Sequence, residues 1–196
     1  VTDADRDREG RPRIYQIGQS GGRDRAVARA TRFAVHPSYE RVVQRVEVNG
    51  VDLAVVEFPR RSGRSVRSIE RNGIDEGDRF IIVGYGVNRF RYDSGGTLRR
   101  SGSGQKRIGT NVVSEISAGM IRFVGVPENE GERGYNVSSG NGDSGGPMFN
   151  RSGRIVGITS GGGVHQRGSQ LRKISSYVDL SSRSSRQFLS LSLIHI

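Results

Sequence analysis

Residues 142–147 read Gly-Asp-Ser-Gly-Gly-Pro, and the interpretation of the whole chain depends on this hexapeptide. Glycines around Ser144 let the backbone adopt dihedral angles that a Cβ atom would forbid. They also let a substrate carbonyl approach the main-chain N–H groups of Gly142 and Ser144, which can converge on a developing oxyanion. The pattern predicts a serine nucleophile for acyl transfer. The alternative is a glycine-rich turn with no catalytic role.

The composition favours an all-β chain. Glycine supplies 29 of the 196 residues, and short Val/Ile-rich segments alternate with Gly, Ser and Asn clusters. A chain of this length can bury a substantial core. No apolar run approaches the roughly twenty residues that a membrane span needs, so we expect no membrane partner. The chain contains no cysteine, which excludes disulfides and thiol chemistry.

The formal net charge of +11 raises the possibility of nucleic-acid binding, because clustered basic residues neutralise phosphates. The arginines are instead spread along the chain from Arg6 to Arg186. The sequence contains no basic helix and no aromatic-interleaved strand of the kind that nucleic-acid modules use. We therefore expect a solvated basic surface and a protein or peptide substrate, with no nucleic-acid partner.

Two further segments carry candidate functional groups. Residues 51–58, Val-Asp-Leu-Ala-Val-Val-Glu-Phe, predict a strand with Asp52 near its start. A carboxylate among apolar neighbours needs hydrogen-bond donors, so Asp52 is either a partnered functional group or a turn aspartate on an edge strand. Residues 36–39 read His-Pro-Ser-Tyr, and the proline pushes His36 out of the helical region, which predicts a loop.

The hexapeptide, the Asp-Leu-Ala strand and the His-Pro-Ser-Tyr loop together resemble the trypsin-like (chymotrypsin-family) serine proteases, of bacterial type. Phe80–Gly86 is similar to the strand that opens the second barrel of that family, and Lys173–Leu180 to its terminal helix. The resemblance implies an all-β fold of two antiparallel six-stranded barrels, the first incomplete in this chain, and a short C-terminal helix.

The implied organisation has three parts. Residues 1–70 would form a partial N-terminal barrel, and residues 71–180 would form the C-terminal barrel that carries the nucleophile. Residues 181–196 change to Ser/Arg and then Leu/Ser composition, so we set them aside as a disordered or artefactual tail.

The resemblance also implies roles for individual residues. Ser144 would attack the scissile carbonyl, the N–H groups of Gly142 and Ser144 would hold the oxyanion, and Asp52 would orient the catalytic histidine. Ser138 would lie at the floor of the primary pocket, where an uncharged serine favours a large apolar or aromatic substrate side chain. Gly162, with Gly168 or Ser169, would line the walls of that pocket. The backbone of residues 160–162, beginning at Ser160, would pair with an extended substrate.

The general base is missing from this pattern. None of the three histidines, His36, His165 and His195, lies in an Ala-Ala-His-Cys type of motif, and His36 is interpreted as an ordinary surface histidine. We expect the base upstream of Val1 and little turnover from this chain alone. In this family the aspartate that precedes the nucleophile, here Asp143, pairs with an α-amino group. We expect this partner of Asp143 to be missing together with the histidine. The alternative is a non-catalytic binding module with the same fold.

The remaining expectations concern the context of the protein. No cluster of metal-ligating residues is visible in the sequence, so we predict neither a metal nor a cofactor. The resemblance implies a monomer that is secreted or periplasmic.

Overall fold

The computed structural model describes residues 13–16, 25–39, 50–59, 66–126, 134–167 and 170–195. Within these residues the chain forms thirteen strands and one helix. In chain order they are β1 (Arg13–Gln16), β2 (Arg25–Arg29), β3 (Arg32–Val35), β4 (Ala54–Glu57), β5 (Arg79–Gly84), β6 (Arg89–Tyr92), β7 (Leu98–Ser101), β8 (Arg107–Val112), β9 (Glu115–Ser117), β10 (Met120–Gly125), β11 (Pro147–Phe149), β12 (Ile155–Arg167), β13 (Gln170–Asp179) and α1 (Arg183–His195).

A seven-stranded antiparallel sheet in the order β8-β5-β11-β12-β13-β10-β9 dominates the C-terminal half. In β5 the buried Phe80 and Ile82 alternate with the more exposed Arg79, Ile81 and Val83, as expected for a strand with one buried face. Phe80, Phe123 and Tyr177 meet on that face, with ring centroids 4.5 and 5.6 Å apart in successive pairs. This aromatic row forms the centre of the larger hydrophobic core.

A buried asparagine bridges two strands of the sheet, which is curled into a half-barrel. Asn111 lies on the edge strand β8, and its Nδ2 donates to the Val124 carbonyl of β10 at 3.0 Å and to the Val137 carbonyl at 2.9 Å. These bonds join two strands that lie far apart in the sheet order. The curled antiparallel sheet confirms the prediction of an all-β, trypsin-like fold.

The N-terminal half is described as two ribbons, β1 with β2 and β3 with β4. A second core joins the β3–β4 ribbon to the rest of the molecule: Leu53 packs with Met120, Val178 and Phe188. Asp52 directly precedes Leu53, so this packing fixes where the backbone of the candidate orienting residue lies.

The C-terminal segment differs from the sequence-based expectation. The prediction of a helix at Lys173–Leu180 is wrong, because residues 170–179 are strand β13, which pairs with both β10 and β12. The helix begins instead at Arg183, inside the tail that the sequence analysis set aside as disordered or artefactual. The Ser182 hydroxyl accepts the Ser185 N–H at 3.2 Å as a helix N-cap, and Phe188 of this helix enters the second core.

None of the described helical residues forms a segment long and apolar enough to cross a membrane.

Candidate active site

The predicted nucleophile lies in a turn that is tied to strand β12. Ser144 is exposed, and Gly142 has a φ of 97°, a left-handed conformation that favours glycine. The Gly145 N–H donates to the Thr159 carbonyl at 2.9 Å, and the Thr159 N–H donates to the Gly146 carbonyl at 2.9 Å. This reciprocal pair fixes the residues that directly follow Ser144.

The carboxylate of Asp143 fixes the other side of the turn. One oxygen accepts the Gly86 N–H at 2.7 Å, and the other accepts the Gly140 N–H at 2.6 Å. A Cβ atom at Gly84 or Gly86 would overlap this carboxylate, so both positions need glycine for the close approach. Two backbone donors therefore hold the charge of Asp143. The expectation that Asp143 lacks an α-amino partner concerns residues outside those described, and it stays a prediction.

Asp52 reaches the same region through Ser160. The Ser160 hydroxyl donates to the Asp52 carboxylate at 2.5 Å. The register between β12 and β13 shifts between Thr159 and Gly161, so a bulge leaves Ser160 without a cross-strand partner. Bulges turn side chains out of the regular alternation, and this one directs the hydroxyl toward the carboxylate. Because Thr159 holds the nucleophile turn and Ser160 holds Asp52, adjacent residues link the two predicted catalytic groups.

The residues predicted for the primary pocket converge on Ser175. Ser138 lines a cavity of about 620 Å³, together with Asp143. The next residue, Ser139, donates its N–H to the fully buried Ser175 hydroxyl at 3.0 Å. Gly162 pairs with Ser175 across β12 and β13. The structure thus brings the Ser138 segment and Gly162 next to the same β13 residue. Sequence reasoning missed Ser175 because it interpreted that segment as a helix.

Tyr177 supports the site from within the core. Burial, and to a smaller extent the charge of Asp143, raise the pKa of Tyr177 to about 12, although hydrogen bonds with the side chains of Thr159 and Ser139 oppose the shift. The phenol therefore stays protonated at physiological pH. It connects the strand behind the nucleophile turn to the segment beside Ser138.

His36 is buried at the end of β3, so the prediction of a surface histidine is wrong and the prediction of a loop position is confirmed. Its Nε2 lies 3.0 Å from the Ser184 hydroxyl, and its Nδ1 accepts the Ser38 N–H at 3.2 Å. The ring also packs against Phe188 of α1, with centroids 5.2 Å apart. His36 therefore holds the terminal helix and is not free to act on Ser144. The side chains of His165 and His195 lie outside the described residues.

We expect His36 to make the docking of α1 sensitive to acid. Burial lowers the pKa of His36 below its ordinary value of 6.5. The unfolded chain then binds the proton more readily, so this residue contributes stability that is present above pH 6.5 and is lost as the pH falls toward the folded-state pKa. Thermal unfolding of the wild type should show a steeper fall in Tm from pH 7 to pH 5 than His36→Gln. Equal slopes of Tm against pH in the wild type and His36→Gln would contradict this role. The His165→Gln variant serves as the control.

The described residues contain no group of three or more His, Cys, Asp or Glu side chains that could hold a metal ion.

A curled antiparallel sheet with an exposed serine in a Gly-Asp-Ser-Gly-Gly turn, near a hydrogen-bonded aspartate, is an arrangement typical of the serine-protease class. The family model of the trypsin-like peptidase domain matches residues 1–158, and the chain belongs to this family. A search of the curated proteins finds no match. Among solved structures, a Glu endopeptidase in complex with MPD aligns with a TM-score of 0.54 at 16% identity, covering 92% of this chain and 69% of that one. At that identity the likeness shows the fold alone.

Proposed function

We propose that this protein is a serine endopeptidase that hydrolyses peptide bonds through an acyl-enzyme at Ser144. The observation that carries the proposal is the Ser160–Asp52 hydrogen bond of 2.5 Å, formed one residue from the Thr159 backbone that holds the nucleophile turn. If the turn that carries Ser144 had no catalytic role, it would not need the Asp52 carboxylate, which comes from the other half of the chain. The family membership supports the same reaction class.

In the proposed reaction, the Ser144 hydroxyl attacks the scissile carbonyl while a histidine takes its proton. The N–H groups of Gly142 and Ser144 stabilise the oxyanion, and the histidine then protonates the leaving amine. Water repeats the sequence on the acyl-enzyme and releases the acid. Asp52, held by Ser160, would orient the histidine, which we assign to a position outside the described residues.

The strand geometry supports an extended peptide as substrate. The part of β12 that pairs with β11 is Ile155–Ile158, so among the described residues no strand lies beside Ser160–Gly162 on that edge. Free main-chain groups on such an edge can pair with an added strand. The uncharged Ser138 favours a large apolar or aromatic side chain in the primary pocket. The name of the Glu endopeptidase neighbour indicates the opposite preference, for an acidic side chain. A peptide-library profile that selects acidic residues would overturn the preference that we infer from Ser138.

The test is Ser144-dependent acylation of the 196-residue chain. We expect slow labelling by a fluorophosphonate probe and a slow burst with an activated ester, both absent in Ser144→Ala. Because the described residues place no histidine at Ser144, added imidazole should accelerate the Ser144-dependent burst by about tenfold, acting as a free general base. The Ser144→Ala protein measures the background reaction of imidazole with the ester.

Absence of Ser144-dependent labelling, with and without imidazole, would contradict the proposal and favour a binding module. The engagement of His36 with helix α1 is the observation that keeps this second function open.

A further inference from the structure

The hairpin of β6 and β7 carries an excess of positive charge on one face. Its register pairs Arg89 with Ser101 and Arg91 with Arg99, and side chains directly opposite each other in an antiparallel pair lie on the same face. These four exposed residues, of which three are arginines, are called the charged face below. Like charges directly opposite each other destabilise a strand pair, so the pairing of Arg91 with Arg99 does not serve the stability of the hairpin.

A single carboxylate of the hairpin neutralises part of this charge. Asp93 pairs with Arg99, with 2.8 Å between Oδ2 and Nε, and its other oxygen accepts two backbone N–H groups. No ion pair among the residues that the structure describes involves Arg89, Arg91 or Arg100. The charged face therefore keeps positive charge that an anionic ligand would neutralise.

The charged face borders a groove that lies next to the candidate active site. The four arginines of the hairpin line a cavity of about 790 Å³. Two residues of this groove, Arg89 and Phe90, also line the cavity of about 620 Å³ that Ser138 and Asp143 border. The groove and the candidate primary pocket are therefore neighbours.

Two contacts hold the hairpin in a defined position relative to the nucleophile turn. The Val87 N–H, just before β6, donates to the carbonyl of Asn141 at 2.9 Å, and Asn141 directly precedes Gly142. On the face opposite the charged one, Phe90 is buried, and the ammonium of the buried Lys173 of β13 lies 4.3 Å from the centroid of its ring. A ligand on the charged face would therefore lie at a defined position relative to the nucleophile.

We propose that the charged face binds an acidic segment of a polypeptide substrate, at a distance from the scissile bond. That the ligand is a substrate rests on the proposed function, whereas the binding of an acidic peptide does not. Side chains on one face of an extended chain are about 7 Å apart, so acidic residues at alternate positions match the spacing of Arg89 and Arg91 on β6. Guanidinium groups bind carboxylates with two parallel hydrogen bonds, which favours Asp and Glu in this segment.

The groove fits a polypeptide better than a nucleic acid. A substrate chain that lies extended at the cavity of Ser138 can continue into the groove beside Arg89. Single-stranded nucleic acids are bound by aromatic side chains that stack on the bases next to the basic residues. The two aromatic residues of the hairpin, Phe90 and Tyr92, both lie on the face opposite the charged one.

Binding is measured by fluorescence anisotropy in the full chain with Ser144→Ala, so the assay does not depend on hydrolysis. The probe is a fluorescein-labelled peptide of about twelve residues that alternates Ser and Glu, and the reference peptide has Gln in place of Glu. At about 0.15 M salt we expect the Glu peptide to bind about tenfold more tightly than the Gln peptide. Adding Arg89→Gln and Arg91→Gln should weaken binding of the Glu peptide by about tenfold.

The matched control instead adds Arg151→Gln and Arg186→Gln, which remove the same charge from exposed positions on the β11–β12 hairpin and on α1. This protein should bind the Glu peptide as tightly as Ser144→Ala alone. Equal losses of affinity in the two sets of variants would overturn the proposal, because binding would then follow the net charge alone. Displacement of the Glu peptide by oligothymidylate at lower concentrations than by unlabelled Glu peptide would show that the ligand class is wrong.

A second readout keeps the test decisive if the substituted proteins fail to fold. In ¹⁵N-labelled Ser144→Ala, the backbone amide resonances of Arg89, Arg91 and Arg99 should shift during titration with the Glu peptide, and that of Arg151 should not. Binding without shifts in the hairpin would overturn the proposal. Fluorophosphonate labelling of the wild type without peptide binding would overturn this proposal alone. Binding at the hairpin without such labelling would support the acidic-peptide site and refute the peptidase.

Discussion

Gly140→Ala is expected to lower the free energy of unfolding by about 3 kcal/mol and to abolish the reaction of Ser144 with a fluorophosphonate. A Cβ atom at Gly140 would overlap the carbonyl oxygen of Val87, which is backbone and cannot rotate away. The neighbouring Val87 N–H donates to the Asn141 carbonyl at 2.9 Å, so movement of this segment breaks a second contact. Because the Gly140 N–H also binds Asp143, the displacement reaches the nucleophile turn.

The matched control is Gly153→Ala at the tip of the β11–β12 hairpin. Gly153 has a φ of 72° with nothing near its missing Cβ atom, so alanine there meets backbone strain alone, about 1 kcal/mol. Chemical denaturation measures both free energies, and probe labelling reports on Ser144. If Gly140→Ala were as stable as Gly153→Ala and labelled normally, the assigned close packing behind the turn would be wrong.

Phe123→Ala should cost about 3–5 kcal/mol of stability, since Phe123 is fully buried between Phe80 and Tyr177. Its removal leaves a cavity in the sheet face that carries the aromatic row. Urea denaturation of the variant and the wild type measures this cost. The effect should extend to the site, because Tyr177 shares hydrogen bonds with Thr159 and Ser139. Chemical shifts of Thr159 should therefore change in the folded variant.

Tyr92→Ala provides the comparison for Phe123→Ala. Tyr92 is an aromatic residue of the β6–β7 hairpin that is 40% exposed, and its loss should change the free energy of unfolding by about 0.5 kcal/mol or less. Equal costs for the two substitutions would show that the Phe80–Phe123–Tyr177 row is not the principal core.

The parts of the site that the sequence predicts are those set by short-range chemistry. The glycines around Ser144 specify a turn that only glycine can form, and the apolar run after Asp52 specifies a strand. Both signals are contained in fewer than ten consecutive residues. The fold class follows from the same local patterns, and the family model agrees with it.

The contacts that the sequence does not predict depend on residues far apart in the chain. The Ser160 hydroxyl reaches Asp52 because of a bulge whose position is set by pairing with β13. His36 is buried because helix α1 covers it, and no local pattern marks that contact. Lys173 is enclosed because β13 places it on the core face, whereas the helical interpretation of that segment gave it no particular orientation. In each case the position of the side chain depends on contacts between segments that are far apart in the chain.

Strand β11 determines which parts of the chain must come together to form the candidate active site. This three-residue strand directly follows the nucleophile turn, and it pairs with β5 on one side and β12 on the other. The pairing with β5 joins segments separated by a long stretch of chain, so closing the loop between them costs conformational entropy. Until it forms, Gly86 cannot meet Asp143, and Ser144 is an ordinary hydroxyl on an unfolded chain. In the proposed protease, the residues that position Ser144 would therefore come together only once segments far apart in the chain have paired, so a partly folded chain would lack the assembled site.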